Sequence, residues 1–206
     1  MIESIHWLGH AGFRIDGPPT IYIDPYQLPP GAPPADLLLI THDHYDHYSP
    51  KDVKKIVHEG TTVVTTAEVA RKLRGDVRTV KPGDEITVKT IPVEVVPAYN
   101  VGKRFHPQRA GHVGFILTVD GQRVYHAGDT DVIPEMDHLQ VDIALLPVGG
   151  KYTMTADEAT EAVRRIKPRV AIPMHYGSIV GSIKDAQRFQ RLCPPGVEVV
   201  ILQPEQ

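Results

Sequence analysis

Cysteine occurs once in the 206 residues, at Cys193. No disulfide can therefore close within the chain, and within RLCPPG the residue reads as a small apolar position near a helix end. Asparagine also occurs once, at Asn100, against 19 prolines; few labile amides and many prolines suit a heat-stable protein. Positive charge is not in excess. Lys and Arg total 22 against 25 Asp and Glu, for a formal net charge of -3. That balance requires no basic face, so nucleic acid is not favoured as a partner. No apolar run approaches the roughly 20 residues that span a bilayer. Met1 leads straight into IESIHWLG, without the basic start and long apolar stretch of a secretory leader. The expectation is a cytoplasmic protein with no membrane segment. Phosphate-cradling glycine loops and a Gly-x-Ser-x-Gly elbow are both missing.

What is present suits one globular domain. Apolar residues make up 41% and charged residues 23%, and the length is ample for a buried core. SIHWLG, GFRID and TIYID read as short strands separated by Gly9-His10-Ala11 and GPP. A proline-rich loop (25–34) leads to DLLLIT, whose unbroken apolar character predicts a strand buried on both faces. SPKDVKKIVHEG reads as a helix capped by Ser49, with Pro50 in its first turn and Gly60 as its stop. TTVVTT predicts a strand and AEVARKLRG a helix. Further strands are expected near 77–80, 86–90 and 93–97. After a polar stretch (98–111), HVGFILTV and QRVYHA form a hairpin about Asp120-Gly121. VDIALLPVGG and RVAIPMHYG read as buried strands. Thr155 and Glu158 have capping-box spacing, and a last helix (183–192) and strand (197–202) close the chain. The two halves, about 1–97 and 98–206, each run from strands into helix–strand alternation. Two mixed sheets packed face to face, with helices outside, satisfy both.

The chemistry concentrates in THDHYDH, residues 41–47. His42, His44, Asp46 and His47 put four ligand-type side chains into six positions, directly after a buried strand. Imidazole and carboxylate suit zinc and other divalent first-row ions. A solvated loop has no need of so dense a set.

HxHxDH resembles the signature of the metallo-β-lactamase fold superfamily. WLGHAGF, IYIDP, ITHDHYDH, HAGDTD and IPMHYG follow in that superfamily's order over most of the chain. Together they look most like the small metal-dependent hydrolases similar to ascorbate-6-phosphate lactonase. More distant kinship is to the phospholipase D type that cleaves N-acylethanolamine lipids. The resemblance implies an α/β, four-layer αββα sandwich with a two-metal site at one edge of the sheets. It implies that His42 and His44 bind one ion, that Asp46, His47 and His175 bind a second, and that Asp129 bridges both. A third histidine for the first ion is expected shortly after PA. In VPAYNVGKRFHPQRAGH that position falls on Asn100, with His106 six residues later. His106 is the better ligand by chemistry; Asn100 could instead bind through its amide oxygen or hold the attacking water. His112, at a strand start, reads as structural.

The resemblance places His10 at the rim of the metal site and gives Asp24 the task of orienting a liganding histidine. His126 and Tyr176 are candidates for proton transfer or oxyanion stabilisation beside Asp46. Lys103 and Arg104, with Arg109 nearby, could recognise an anionic group on a small-molecule substrate. His58 and His138 read as surface residues, and His6 has no clear role. The implied activity is a metal-dependent hydrolase in which a metal-bridged hydroxide attacks an ester, lactone or phosphodiester. Two divalent ions are implied, zinc first, with manganese and iron also suited to the set. An RNA-processing nuclease and a non-catalytic metal-binding protein are the alternatives. Apolar sheet edges leave room for a homo-oligomer.

Overall fold

A computed structural model describes residues 1–205, and its strands follow the apolar runs of the sequence. In chain order the elements are β1 (Ile5–Gly9), β2 (Gly12–Ile15), β3 (Ile21–Ile23), β4 (Leu37–Ile40), α1 (Pro50–Ile56), β5 (Thr62–Thr65), α2 (Ala67–Ala70), β6 (Asp76–Thr79), β7 (Glu85–Val88), β8 (Ile91–Pro97), β9 (Val113–Val119), β10 (Gln122–His126), β11 (Ile143–Pro147), α3 (Ala156–Ile166), β12 (Val170–Met174), α4 (Ile183–Leu192) and β13 (Glu198–Val199). Single 3-10 turns occur at Ile2–Ser4, Gln108–Ala110 and Pro134–His138.

The strands form two mixed sheets. The first has the order β1-β2-β3-β4-β5-β6 and the second β13-β12-β11-β10-β9-β8-β7. β3 to β6 run parallel in the first sheet, and β10 to β13 run parallel in the second. The chain changes sheet between Thr79 and Glu85, earlier than the half boundary expected near residue 97.

β4 shows why the layers form. Alternate residues of a strand face opposite sides. Leu37 and Leu39 pack into the core between the sheets, with Phe13, Phe115, Leu117, Leu145 and Ile172. Leu38 and Ile40 pack on the outer side, with Val53 and Ile56 of α1. On the far side, Ala159 and Val163 of α3 and Phe189 of α4 join the main core from outside the second sheet. The result is the four-layer αββα sandwich. Each leucine of β4 is fully buried, contributing roughly 1.5–3 kcal/mol of hydrophobic stabilisation.

Caps form where the sequence predicts them. Thr155 and Glu158 make a reciprocal capping box on α3, and the Ser49 hydroxyl accepts from the Asp52 amide on α1. Three elements are shorter than expected. α1 ends at Ile56, before Gly60. The helix expected over AEVARKLRG is a single turn, α2, because only Val69 of that segment is buried and further turns would bury nothing to offset their ordering. β13 is two residues, because the chain then leaves β12 and crosses to β1, where the Glu205 amide donates to the Trp7 carbonyl. His6 finds its place there, between Asp16 and Glu205. No helix among the described residues is long and apolar enough to cross a membrane.

Candidate metal centre

The loops that follow β3, β4, β10 and β12, with the β1–β2 turn and the β8–β9 loop, meet at one edge of the sandwich. Carboxyl ends of parallel strands are where open α/β sheets place their ligands. Three overlapping groups of side chains there have ligand atoms within 4.8 Å of one another: His42, His44 and His106; His42, His47 and Asp129; and His10, Asp46, His47 and His175.

Asp129 joins the groups. Its Oδ1 lies 3.2 Å from both His47 Nε2 and His175 Nε2, and its Oδ2 lies 3.3 Å from His106 Nε2. In the first group, His44 Nδ1 is 3.1 Å from His42 Nε2 and 3.0 Å from His106 Nε2. In the third, Asp46 Oδ2 is 2.9 Å from His10 Nε2, 3.9 Å from His47 Nε2 and 4.0 Å from His175 Nε2.

The surrounding hydrogen bonds fix which nitrogen is free in the His47, His42 and His106 rings. Fully buried Asp24 accepts from the Thr41 amide at 2.8 Å and from the Thr41 hydroxyl at 2.6 Å. Its Oδ2 also holds His47 Nδ1 at 2.7 Å, so that nitrogen carries the proton and Nε2 points into the cluster. The Thr41 hydroxyl has donated its only hydrogen to Asp24. It therefore accepts from His42 Nδ1 at 2.9 Å, which leaves His42 Nε2 as a lone pair. His106 Nδ1 donates to the Tyr152 carbonyl at 3.2 Å, again freeing Nε2.

Backbone strain gathers at the same place. His10, Asp24, His106 and His175 have φ of 51°, 45°, 55° and 59°. Non-glycine residues adopt such left-handed conformations rarely, at a cost of order 1–3 kcal/mol when surrounding structure imposes them. His175 is held from both sides. Its amide donates to the His10 carbonyl at 2.7 Å, and Gly149 passes so close that a Cβ there would lie 2.1 Å from the His175 carbonyl oxygen.

Electrostatics match a cation-binding cluster. Burial would raise the pKa of Asp129, but His175 and His47 hold it well below the usual carboxylate range. Burial would likewise raise Asp46, yet the hydrogen bond from His10 and the charge of His47 bring it to about 2. Burial would lower His47, and the charges of Asp129 and Asp24 instead raise it well above 6.5. Burial dominates at His42, His106 and His10, and all three are lowered. A fit to metal ions rests on buried atoms that face one another: His47 Nε2 and His175 Nε2 each lie 3.2 Å from Asp129 Oδ1, and none of the three makes a well-aligned hydrogen bond. Orphaned polar atoms at this depth are costly in a protein interior. Two neutral-imidazole and carboxylate sets sharing one carboxylate have the donor chemistry of divalent-metal sites.

Every expected ligand, His106 included, is thus brought into the cluster. Asn100 takes another part. Its amide NH2 donates to the Phe105 carbonyl at 3.0 Å and to the Tyr152 carbonyl at 2.6 Å, while its backbone amide donates to the His106 carbonyl. It closes the loop that presents His106. His126 lies outside the chemistry. Nδ1 accepts from the Gly128 amide and Nε2 donates to the Ala11 carbonyl, so both ring nitrogens serve the backbone and neither can pass a proton to a substrate. The Tyr176 ring packs 4.8 Å from Trp7 and lines a neighbouring cleft rather than the one over the cluster. Lys103 is bound by Asp131 and the Thr153 carbonyl, which turns it away from any ligand. Arg104 is exposed and does not line the cleft.

Sequence reasoning missed Thr41, and it read His112 as structural without placing it against a ligand. Thr41 begins the motif and looked like the end of a strand; its hydroxyl couples Asp24 to His42. His112 stacks on His42 with ring centroids 4.5 Å apart, and burial lowers its pKa to about 4. The only sequence signal was its place at the end of the same loop as His106.

A family model described as "Beta-lactamase superfamily domain" matches residues 4–175. A metal-dependent hydrolase of Archaeoglobus fulgidus is 38% identical over 98% of this chain and 96% of its own length. One of Thermococcus kodakarensis is 35% identical over the same shares, 98% and 96%. Among solved structures, a protein from Parabacteroides distasonis assigned as a metal-dependent hydrolase is similar at a TM-score of 0.86. It is 35% identical, over 97% of this chain and 93% of its own.

Proposed function

The chain belongs to the metallo-β-lactamase superfamily, and from that premise we propose that it is a metal-dependent hydrolase acting on an ester, lactone or phosphodiester. The observation that carries the reading is the position of Asp129 between two ligand groups, with Oδ1 facing His47 and His175 and Oδ2 facing His106. His42, His44 and His106 would hold one divalent ion, and Asp46, His47 and His175 a second, with Asp129 shared. Bound ions of this kind supply Lewis acidity, polarising the scissile group and activating water.

The protein's own groups prepare that chemistry. Asp24 and Thr41 lock the His47 and His42 rings in the tautomer that exposes Nε2 to the cluster. His10 donates to Asp46 and keeps its carboxylate ionised, which suits Asp46 to hold a cation. Asn100 holds the His106 loop closed over the cleft.

Metal-free protein, reconstituted with zinc, manganese or iron(II), can be assayed against a panel of carboxylic esters, lactones and phosphodiesters. The proposal expects turnover of one of these classes, lost on chelation, restored by metal and abolished in Asp129→Asn. A fully metal-loaded protein that turns over none of the three would contradict it and favour a non-catalytic metal-binding role.

A further inference from the structure

The cleft over the cluster holds about 200 Å³. That is below the roughly 300–1,000 Å³ of sites for drug-sized ligands and suits an aryl or short acyl group. Its sides are aromatic. Phe105 meets Tyr152 edge to face at 5.0 Å on the side of the His106 loop. Tyr45 meets Tyr26 edge to face at 6.1 Å on the side of the His42–His47 loop. Ile179 completes the lining.

The distribution of exposed apolar side chains is uneven. Among the described residues the large exposed ones are Tyr45, Val57, Val101, Phe105 and Ile183, and three of these five lie on the two loops that frame this cleft. Single exposed apolar residues need no explanation, but their gathering around one cleft does. Tyr45 is 64% exposed and Phe105 44%, so both are available to cover a ligand.

Positive charge is placed elsewhere. Lys103 is bound by Asp131, and Arg104 and Arg109 stand exposed without lining the cleft. Lys151 lies 4.9 Å over the Tyr152 ring, at the exposed rim. Among the described residues no lysine or arginine lines the cleft, so an anionic group held away from the metal cluster would meet aromatic faces and no cationic side chain of the lining.

We infer that this site takes a neutral carboxylic ester or lactone bearing an aryl group, bound between the Tyr45 and Phe105 side chains. The inference rests on the hydrolase reading and narrows it. In the reaction the oxygen of water bonds to the acyl carbon and the acyl C–O bond breaks. The acid and the alcohol leave, or from a lactone one hydroxy acid, and no oxidant or reductant is needed.

Binding can be separated from turnover with hydroxamates, which chelate metal through one common head group. Calorimetric titration of the metal-loaded protein would compare benzohydroxamate, acetohydroxamate and 4-phosphonobenzohydroxamate. The expected result is benzohydroxamate at least about tenfold tighter than acetohydroxamate, the ratio set by 1.4 kcal/mol. The phosphonate should be weaker than the neutral aryl probe. Tyr45→Ala and Phe105→Ala, both at exposed positions, should each erode the aryl preference. Equal binding of aryl and methyl probes, or tighter binding of the phosphonate, would overturn the inference while leaving the metal centre intact. Failure of all three to bind the metal-loaded protein would overturn the hydrolase reading and this inference together.

Discussion

Asp129 Oδ2 lies 3.3 Å from His106 Nε2, while the other oxygen of the same carboxylate faces His47 and His175 at 3.2 Å. One side chain from the loop after β10 therefore ties the β8–β9 loop to the loops after β4 and β12. A carboxylate placed so is shared between two ligand groups, and the account of the site follows from that sharing.

The Asp24–Thr41 pair should control metal affinity without touching metal. Asp24→Asn removes the charge that fixes His47 and the acceptor for the Thr41 hydroxyl. Changes of this kind lower metal affinity about 10- to 100-fold. Competition titration against a chelator should show that loss, and Thr41→Val should show a similar one with the fold retained by circular dichroism. Unchanged affinity in both variants would remove the pair from the account.

Asn100 separates a clamp from a ligand. If its NH2 group holds the Phe105 and Tyr152 carbonyls, Asn100→Asp sets a carboxylate against two carbonyl oxygens and costs more stability than Asn100→Ala. Loss of one such buried partner costs about 1–3 kcal/mol. Urea unfolding of metal-free protein should rank the variants in that order. A carboxylate that instead raised metal affinity would mean that position 100 is itself a ligand.

Gly149 is required by space. A Cβ there would lie 2.1 Å from the His175 carbonyl oxygen and 3.0 Å from Val180 Cγ2. Gly149→Ala must push the His175 backbone aside, for a loss of about 3 kcal/mol and weaker metal binding. Denaturant midpoints and a metal titration check both parts; wild-type values for both would show that the approach relaxes freely.

Metal uptake should release a proton from His47. Its pKa is raised well above 6.5 in the metal-free protein, since the charges of Asp129 and Asp24 outweigh burial. At neutral pH His47 is therefore protonated and must lose that proton to ligate. Asp46 and Asp129, both lowered, are already ionised and release none. Apparent metal affinity then rises with pH up to the raised His47 value. Calorimetry in buffers of different ionisation enthalpy counts the protons. About one is expected from His47, and Asp24→Asn should reduce it.

Much of this molecule could be read before any coordinates. Buried strands such as Leu37–Ile40 announce themselves by apolar residues at every position, because both faces are covered. The HxHxDH loop is legible because its ligands are close in sequence. Other parts depend on contacts that sequence spacing does not encode. His126 sits three residues before Asp129, yet its fate was set by the Ala11 carbonyl, 115 positions away. Lys103 looked free to meet an anion until Asp131 and Thr153 were folded against it. Thr41 gained its role only when β3 and β4 paired in parallel and brought Asp24 beside it.

The most direct test of the shared-carboxylate account is metal content by elemental analysis, on the unaltered protein and on His106→Ala. The account predicts two divalent ions per chain, falling towards one in His106→Ala. One ion or none in the unaltered protein, with His106→Ala no different, would contradict it.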